Sequence, residues 1–431
     1  MIYNSFKSTY LFLFISIIFC LTSCKQTTVK IPQQKNVTDT IVNNKQSTSL
    51  NKTENTIINA KVITGADRTA LYVPLLKGKK VAIVANQTSV IQKKSKYNPN
   101  ITAIHLVDYI NNSKDIDVVK VFAPEHGFRG KADAGETIKD GIDTKTGLPI
   151  ISLYGKNKKP SKEQLKNIDV VLFDIQDVGA RFYTYISTLH YVMEACAENN
   201  VPVILLDRPN PNGYYMDGPV LDLKHKSFVG MHTVPVVYGM TIGEYGKMIN
   251  GEQWLQSNIQ CDLKVIPLKN YTHQTRYSLP IKPSPNLPND KSINLYPSLC
   301  FFEGTNVSAG RGTDLQFQIY GSPFLNKDGF SFKPEPNEGA KYPKYKGKVC
   351  YGENLVNTQS LNSLDLSWLI KAYEQTGNKK EFFNTFFTKL AGTTKLQEQI
   401  EQGISESDIK KSWENGLNHF KEIRSKYLIY N

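Results

Sequence analysis

The sequence predicts an α/β fold built on a Rossmann-like, doubly wound and mostly parallel sheet. Three observations lead there. Four short apolar runs rich in Val and Ile each end in a polar turn. Helix-like stretches, Asn100–Asn111 and Tyr183–Asn199, lie between them. The 431 residues, 40% hydrophobic, are enough for more than one core. Continuous apolar runs fit strands buried on both faces of a parallel sheet, and such a sheet needs helical crossovers.

The chain opens with a different signal. Lys7 precedes the apolar run Tyr10–Leu21, which is too short to anchor across a bilayer. A basic start, an apolar stretch and small residues at its end describe an export signal. Its end, Leu21-Thr22-Ser23-Cys24, resembles the lipobox of bacterial lipoproteins, where the Cys is lipidated; the competing reading is an ordinary signal with an incidental Cys. The expectation is a signal over 1–23, lipidation at Cys24 and a tether over 24–57. The protein would then be exported and lipid-anchored to a bacterial cell-envelope membrane, at its periplasmic or outer-membrane face. Residues 25–57 contain no aromatic side chain and are rich in Thr, Asn, Gln and Lys, which suits a flexible linker.

The four strands are Val81–Val84, Val118–Phe122, Val170–Phe173 and Pro202–Leu206. Ligands of open parallel sheets bind beyond the carboxyl ends of the strands. Those ends carry Glu125, His126, Asp174, Asp177, Arg181, Asp207, Arg208 and Asn210, which are expected on one rim. Turn propensity alone explains one or two such residues, and Asp177 is the one best suited to a structural cap.

Several chemistries are disfavoured by missing motifs. The first strand is followed by Asn86-Gln87-Thr88-Ser89 rather than a glycine-rich phosphate loop, and no Walker-type lysine motif, Gly-x-Ser-x-Gly elbow or HExxH is present. Cys196, Cys261, Cys300 and Cys350 form no CxxC pair. Neither a cofactor nor a metal is expected. Carboxylates remain, and glycoside hydrolysis needs two of them. Glu125, Asp174 and Asp177 on the rim are candidates, together with Glu136 in the Gly130–Glu136 loop, which reads either as a segment that closes over a ligand or as simply solvent-exposed.

In the second half, Lys282–Pro288 is a stiff Pro-rich connection. Phe302–Thr313 then combines glycines with Glu303, Asn306 and Arg311 and reads as a binding loop. Apolar residues at helical spacing follow: Leu364–Tyr373, Phe382–Leu390 and Ile409–Ile423. These read as core, and Tyr427–Tyr430 is expected to dock as an edge strand.

Six segments in order then resemble the NamZ-like exo-β-N-acetylmuramidase family: Ala123–Gly130 (APEHGFRG), Phe173–Tyr185 (FDIQDVGARFYTY), Asp207–Gly213, Tyr238–Glu244, Pro283–Asn286 and Glu303–Ser308. The resemblance implies release of N-acetylmuramic acid from the non-reducing end of peptidoglycan fragments. It also implies a Rossmann-like subdomain and a second, smaller α/β or α+β subdomain, with the active site in the cleft between them; the expected division is 58–230 and 231–431. By motif, Glu125 leads as catalytic residue, with His126 beside it and Asp174, Asp177, Arg181 and Tyr183 as neighbours.

The excess of Lys and Arg (52) over Asp and Glu (39) first suggests a polyanion partner. The basic residues are scattered lysines, so nucleic acid is not expected. Muramic acid carries one lactyl carboxylate, which a bidentate arginine fits; Arg129, Arg181, Arg208 and Arg311 are the candidates. The expected substrate-binding set is Arg129, Glu136, Arg181, Tyr183, Arg208, Asn210, Glu303, Asn306 and Arg311. Glu125 would protonate the leaving oxygen, and Asp174 or Asp177 would act as base, nucleophile or polariser of the 2-acetamido group. The alternatives are a non-catalytic surface lipoprotein that binds glycans, and a different amino-sugar hydrolase or esterase.

Overall fold

A computed structural model describes residues 60–94, 101–129 and 140–430. In chain order these form α1 (Thr69–Leu76), β1 (Lys80–Ala85), β2 (Val90–Lys94), β3 (Ile101–His105), α2 (Leu106–Asn111), β4 (Asp117–Ala123), β5 (Gly141–Ile142), β6 (Pro149–Ser152), α3 (Lys162–Leu165), β7 (Val170–Asp174), α4 (Tyr185–Glu198) and β8 (Val203–Leu206). Then come α5 (Ile242–Gly251), β9 (Leu263–Ile266), α6 (Asp290–Leu299), β10 (Ile319–Ser322), β11 (Phe330–Phe332), β12 (Cys350–Asn354), α7 (Ser367–Gln375), α8 (Phe387–Ala391), α9 (Lys395–Glu401) and α10 (Glu406–Ser425).

All four expected strands are present, as β1, β4, β7 and β8. They lie in one sheet of order β5-β6-β4-β1-β7-β8-β9, parallel except for β5. Successive side chains of a strand point to opposite faces. In β1, Ala82 and Val84 therefore join one core, while Val81, Ile83 and Ala85 join another on the opposite face. Val171 and Phe173 of β7, and Val203 and Leu205 of β8, follow the first pair, and their neighbours follow the second. This two-sided burial is why the runs are continuously apolar. A smaller antiparallel sheet, β10-β12-β11, lies in the second half.

Other expectations change. Helix α2 starts only at Leu106, because Ile101–His105 pairs with β2 as a hairpin and His105 caps the helix by accepting from the Val107 N–H. The large sheet takes β9 from residues 263–266, so it runs past the expected division at 230. The described residues belong to one compact unit. Of the Phe382–Leu390 stripe, only Phe387–Ala391 forms an α-helix. The C-terminal segment docks without a strand ladder: the Ile429 and Tyr430 N–H groups donate to Glu244, and the Tyr430 hydroxyl donates to Asp207 at 2.7 Å.

Several charged groups expected at the site are structural braces instead. The Arg208 guanidinium meets fully buried Asp174 through two bonds, Nε to Oδ1 at 2.6 Å and Nη2 to Oδ2 at 2.8 Å. Asp177 accepts from the Gly179 N–H at 2.7 Å and from the Tyr238 hydroxyl, and burial pushes its carboxyl up to about 7. Asn210 donates to the Met240 carbonyl and accepts from the Asn212 N–H. Gly179, at φ +79°, has no room for a Cβ against the Asn210 amide. Arg181 is fully buried and donates to the carbonyls of Pro219, Val234, Leu390 and Ala391. Arg129 is bound to Asp108 and Asp143. These pairings offset most of the cost of burying these groups, although Asp177 Oδ1 and Arg181 Nε have no hydrogen-bond partner among the described residues.

Asp174→Asn should lower unfolding free energy in denaturant titrations by about 3–5 kcal/mol, because it leaves a buried guanidinium without its counter-charge. Turnover per folded molecule should stay within about tenfold, whereas loss of a general acid or base costs about 10²–10⁴. A catalytic-sized loss in a stable variant would contradict the brace. His105 gives a second expectation. Burial pushes its ring down from 6.5 to about 4, so the fold favours the neutral form. That contribution is full above pH 6.5 and is lost as pH falls from 6.5 through 4. Thermal melts across this window should fall less for His105→Asn, which keeps a capping acceptor, than for the parent; equal slopes would contradict this.

Candidate active site

Beyond the carboxyl ends of β4, β6 and β7 lies a pocket of about 260 Å³. Its position follows from the sheet. The Ala123–Gly127 turn after β4 brings Glu125 and His126, the segment after β6 brings Tyr154, and the segment after β7 brings Phe182, Tyr183, Thr184 and Tyr185. The second half supplies Tyr296 from α6, with Glu303, Arg311, Phe317 and Phe386. The turn at Glu125 is tight: the Gly127 N–H donates to the Pro124 carbonyl, and His126 and Gly127 have φ of 69° and 78°. A left-handed backbone at a residue with a side chain is unusual, and such strain collects at functional sites.

Glu125 is held by hydroxyls. Thr184 is the residue that precedes the first turn of α4, yet its side chain does not cap that helix. It donates instead to Glu125 Oε2 at 2.6 Å. Glu125 also hydrogen-bonds the Tyr154 hydroxyl; burial first, and then this carboxylate, push that phenol's pKa upward. The carboxylate therefore lies beside the first turn of α4. Below it, Tyr183 and Tyr185 both donate to the Pro283 carbonyl, at 2.9 and 3.3 Å. Those bonds anchor the Pro-rich connection, which lines the pocket with Ser284, Asn286 and Leu287. Asn286 donates to the Gly339 carbonyl, while its buried Oδ1 has no hydrogen-bond partner among the described residues.

A second carboxylate faces the pocket, and its partner is charged. Glu303 Oε1 accepts from Arg311 Nη1 at 2.9 Å, and Arg311 Nη2 donates to the Gly339 carbonyl at 3.2 Å. The Lys344 ammonium donates to the carbonyls of Phe302, Thr305 and Val307, which brackets Glu303 in place.

Of the residues expected at the site, Glu125, His126, Tyr183, Glu303 and Arg311 line the pocket. Asp174, Asp177, Arg129, Arg181, Arg208 and Asn210 do not, for the pairings given above. Asn306 also falls outside the lining; its backbone carbonyl accepts from the Tyr345 hydroxyl. Glu136 and Cys24 lie outside the described residues. Tyr154, Thr184 and Asn286 were missed. Asn286 carried a signal, since it ends the Pro283–Asn286 motif. Among the described residues no three His, Cys, Asp or Glu side chains are grouped to hold a metal ion.

Comparison with known proteins agrees with this architecture. The family described as "Exo-beta-N-acetylmuramidase NamZ, N-terminal" matches residues 81–291, and its C-terminal counterpart matches 294–430. The pocket draws residues from both matched segments. Two crystal structures of DUF1343 family proteins from Bacteroides fragilis NCTC 9343 are similar. One has TM-score 0.78 and 46% identity, the other 0.70 and 28%; each comparison covers 86% of this chain and 99% of the other. The peptidoglycan beta-N-acetylmuramidase NamZ of Bacillus subtilis (strain 168) is 39% identical over 394 residues, covering 86% of this chain and 92% of that protein. With both family segments matched in order over most of its length, the chain belongs to the NamZ family of exo-β-N-acetylmuramidases.

Proposed function

We propose that this protein is a glycoside hydrolase that releases N-acetylmuramic acid from the non-reducing end of peptidoglycan fragments. The observation that carries this reading is one sugar-sized pocket faced by two carboxylates in different surroundings, Glu125 and Glu303. The partners set their roles. Thr184 and Tyr154 offer Glu125 hydroxyls, which can donate or accept. Glu303 is paired with a guanidinium. Glycoside hydrolysis needs two carboxylates, and the hydroxyl and guanidinium partners distinguish these two.

In this reading Glu125 gives its proton to the glycosidic oxygen as the bond to the anomeric carbon breaks. Glu303 faces the positive charge that develops on the sugar ring; a water then forms the new bond to the anomeric carbon and passes its proton to a carboxylate of this pair, which yields free N-acetylmuramic acid. Arg311 is the arginine in the described lining, so it is the partner for the lactyl carboxylate of muramic acid. The unpartnered Asn286 Oδ1 suits an N–H or O–H of the sugar. Tyr183 and Tyr185 hold the wall that carries Asn286.

The N-terminal segment extends the proposal. Export through the 1–23 signal and lipidation of Cys24 would place the catalytic body on a cell-envelope membrane, joined by the 24–57 tether. Its substrates would then be peptidoglycan-derived disaccharides or muropeptides reaching that surface.

Glu125→Gln should lower release of muramic acid from a muramic acid–glucosamine disaccharide about 10²–10⁴-fold while leaving binding of free N-acetylmuramic acid intact; wild-type rates would sink the assignment. Cys24→Ser should move the expressed protein from the membrane fraction to the soluble fraction. Unchanged partition would refute lipidation at that residue.

A further inference from the structure

A second pocket of about 380 Å³ adjoins the first. That volume lies within the range of small-molecule sites, about 300–1,000 Å³. The two pockets share Glu303, Arg311 and Phe386. A glycosidic bond being cut must lie between the sugar that is released and the one that leaves. The Glu303–Arg311 pair forms the common wall and stands at such a junction.

The lining of this pocket includes Tyr342. This residue is 93% exposed, the largest exposure among the large hydrophobic residues described. The backbone beneath it is tied down. Lys344, two residues on, donates to three carbonyls of the Phe302–Val307 segment, and the Tyr345 hydroxyl donates to the Asn306 carbonyl. On the other side, Gly339 accepts from Arg311 and Asn286, and Ala340 exchanges backbone hydrogen bonds with Asn337. An aromatic ring left in water on a rigid loop beside a polar pocket has no packing role to explain it. Its face suits the axial C–H groups of a pyranose, while its rim stays wet.

Resting on the proposed muramidase activity, we infer that this second pocket is the leaving-side subsite. It takes the N-acetylglucosamine unit joined to muramic acid, with Tyr342 as the stacking platform. Glu303, Arg311 and Phe386 then serve both sugars. The first pocket fixes which sugar is released, and the second pocket favours a glycan over other leaving groups.

The test compares two substrates on the full-length protein. One is the muramic acid–glucosamine disaccharide; the other is N-acetylmuramic acid β-fluoride, whose single-atom leaving group reaches no second pocket. In Tyr342→Ala the ratio of kcat/KM, disaccharide over fluoride, should fall about tenfold, and Tyr342→Phe should restore it. An unchanged ratio, or equal losses on both substrates, would overturn the subsite. A wild-type protein that cleaves neither substrate would sink the muramidase reading instead. A selective loss with peptide-bearing fragments, and none with the bare disaccharide, would assign the pocket to the peptide stem and overturn the sugar.

Discussion

The Arg181 guanidinium sits where the two family segments meet. It is fully buried and donates to four carbonyls: Pro219 and Val234 on one side, Leu390 and Ala391 on the other. The last two belong to the end of α8, where a positive charge meets the negative pole of the helix. Burial pushes the guanidinium down to about 9, so the carbonyls work against a desolvation cost. The neighbours of this contact are the pocket itself. Phe182 to Tyr185 follow Arg181 directly, and Phe386 precedes α8. One side chain thus ties the strand-end wall to the helical wall.

On that frame the protein keeps two sets of carboxylates apart. Asp174, Asp177 and Asp207 are buried among fixed donors, where they brace loops. Burial pushes both Asp177 and Asp207 up to about 7, but neither lines the pocket. Glu125 and Glu303 face the open space, one held by hydroxyls and the other by a guanidinium. A shifted carboxyl alone would have pointed to the wrong pair. Access to a ligand, together with the chemistry of the partner, separates the sets.

The sheet was legible because burial on both faces leaves an unbroken apolar signature. Glu125 and His126 were legible because they follow such a run, and Arg311 because it stands among glycines. Arg208 and Asp174 were not readable as a brace: they lie at neighbouring strand ends, and sequence does not show that each ends on the other. Arg181 likewise looked like a ligand for an anion, because backbone carbonyls leave no trace in the sequence. Tyr154 was missed because β6 is a four-residue strand that begins with Pro, too short to stand out. Thr184 was missed because nothing local says that a residue at a helix start serves a distant carboxylate. The NamZ motifs located these segments but did not sort their charged residues into braces and site.

The central claim is that muramic acid lies between Glu125 and Glu303 with its carboxylate on Arg311. A crystal structure of the Glu125→Gln protein soaked with the disaccharide tests it most directly. The expected result places the glycosidic oxygen beside residue 125, the lactyl carboxylate on Arg311 and the second sugar toward Tyr342. A disaccharide bound with its carboxylate on another cation, away from Glu303, would contradict the account.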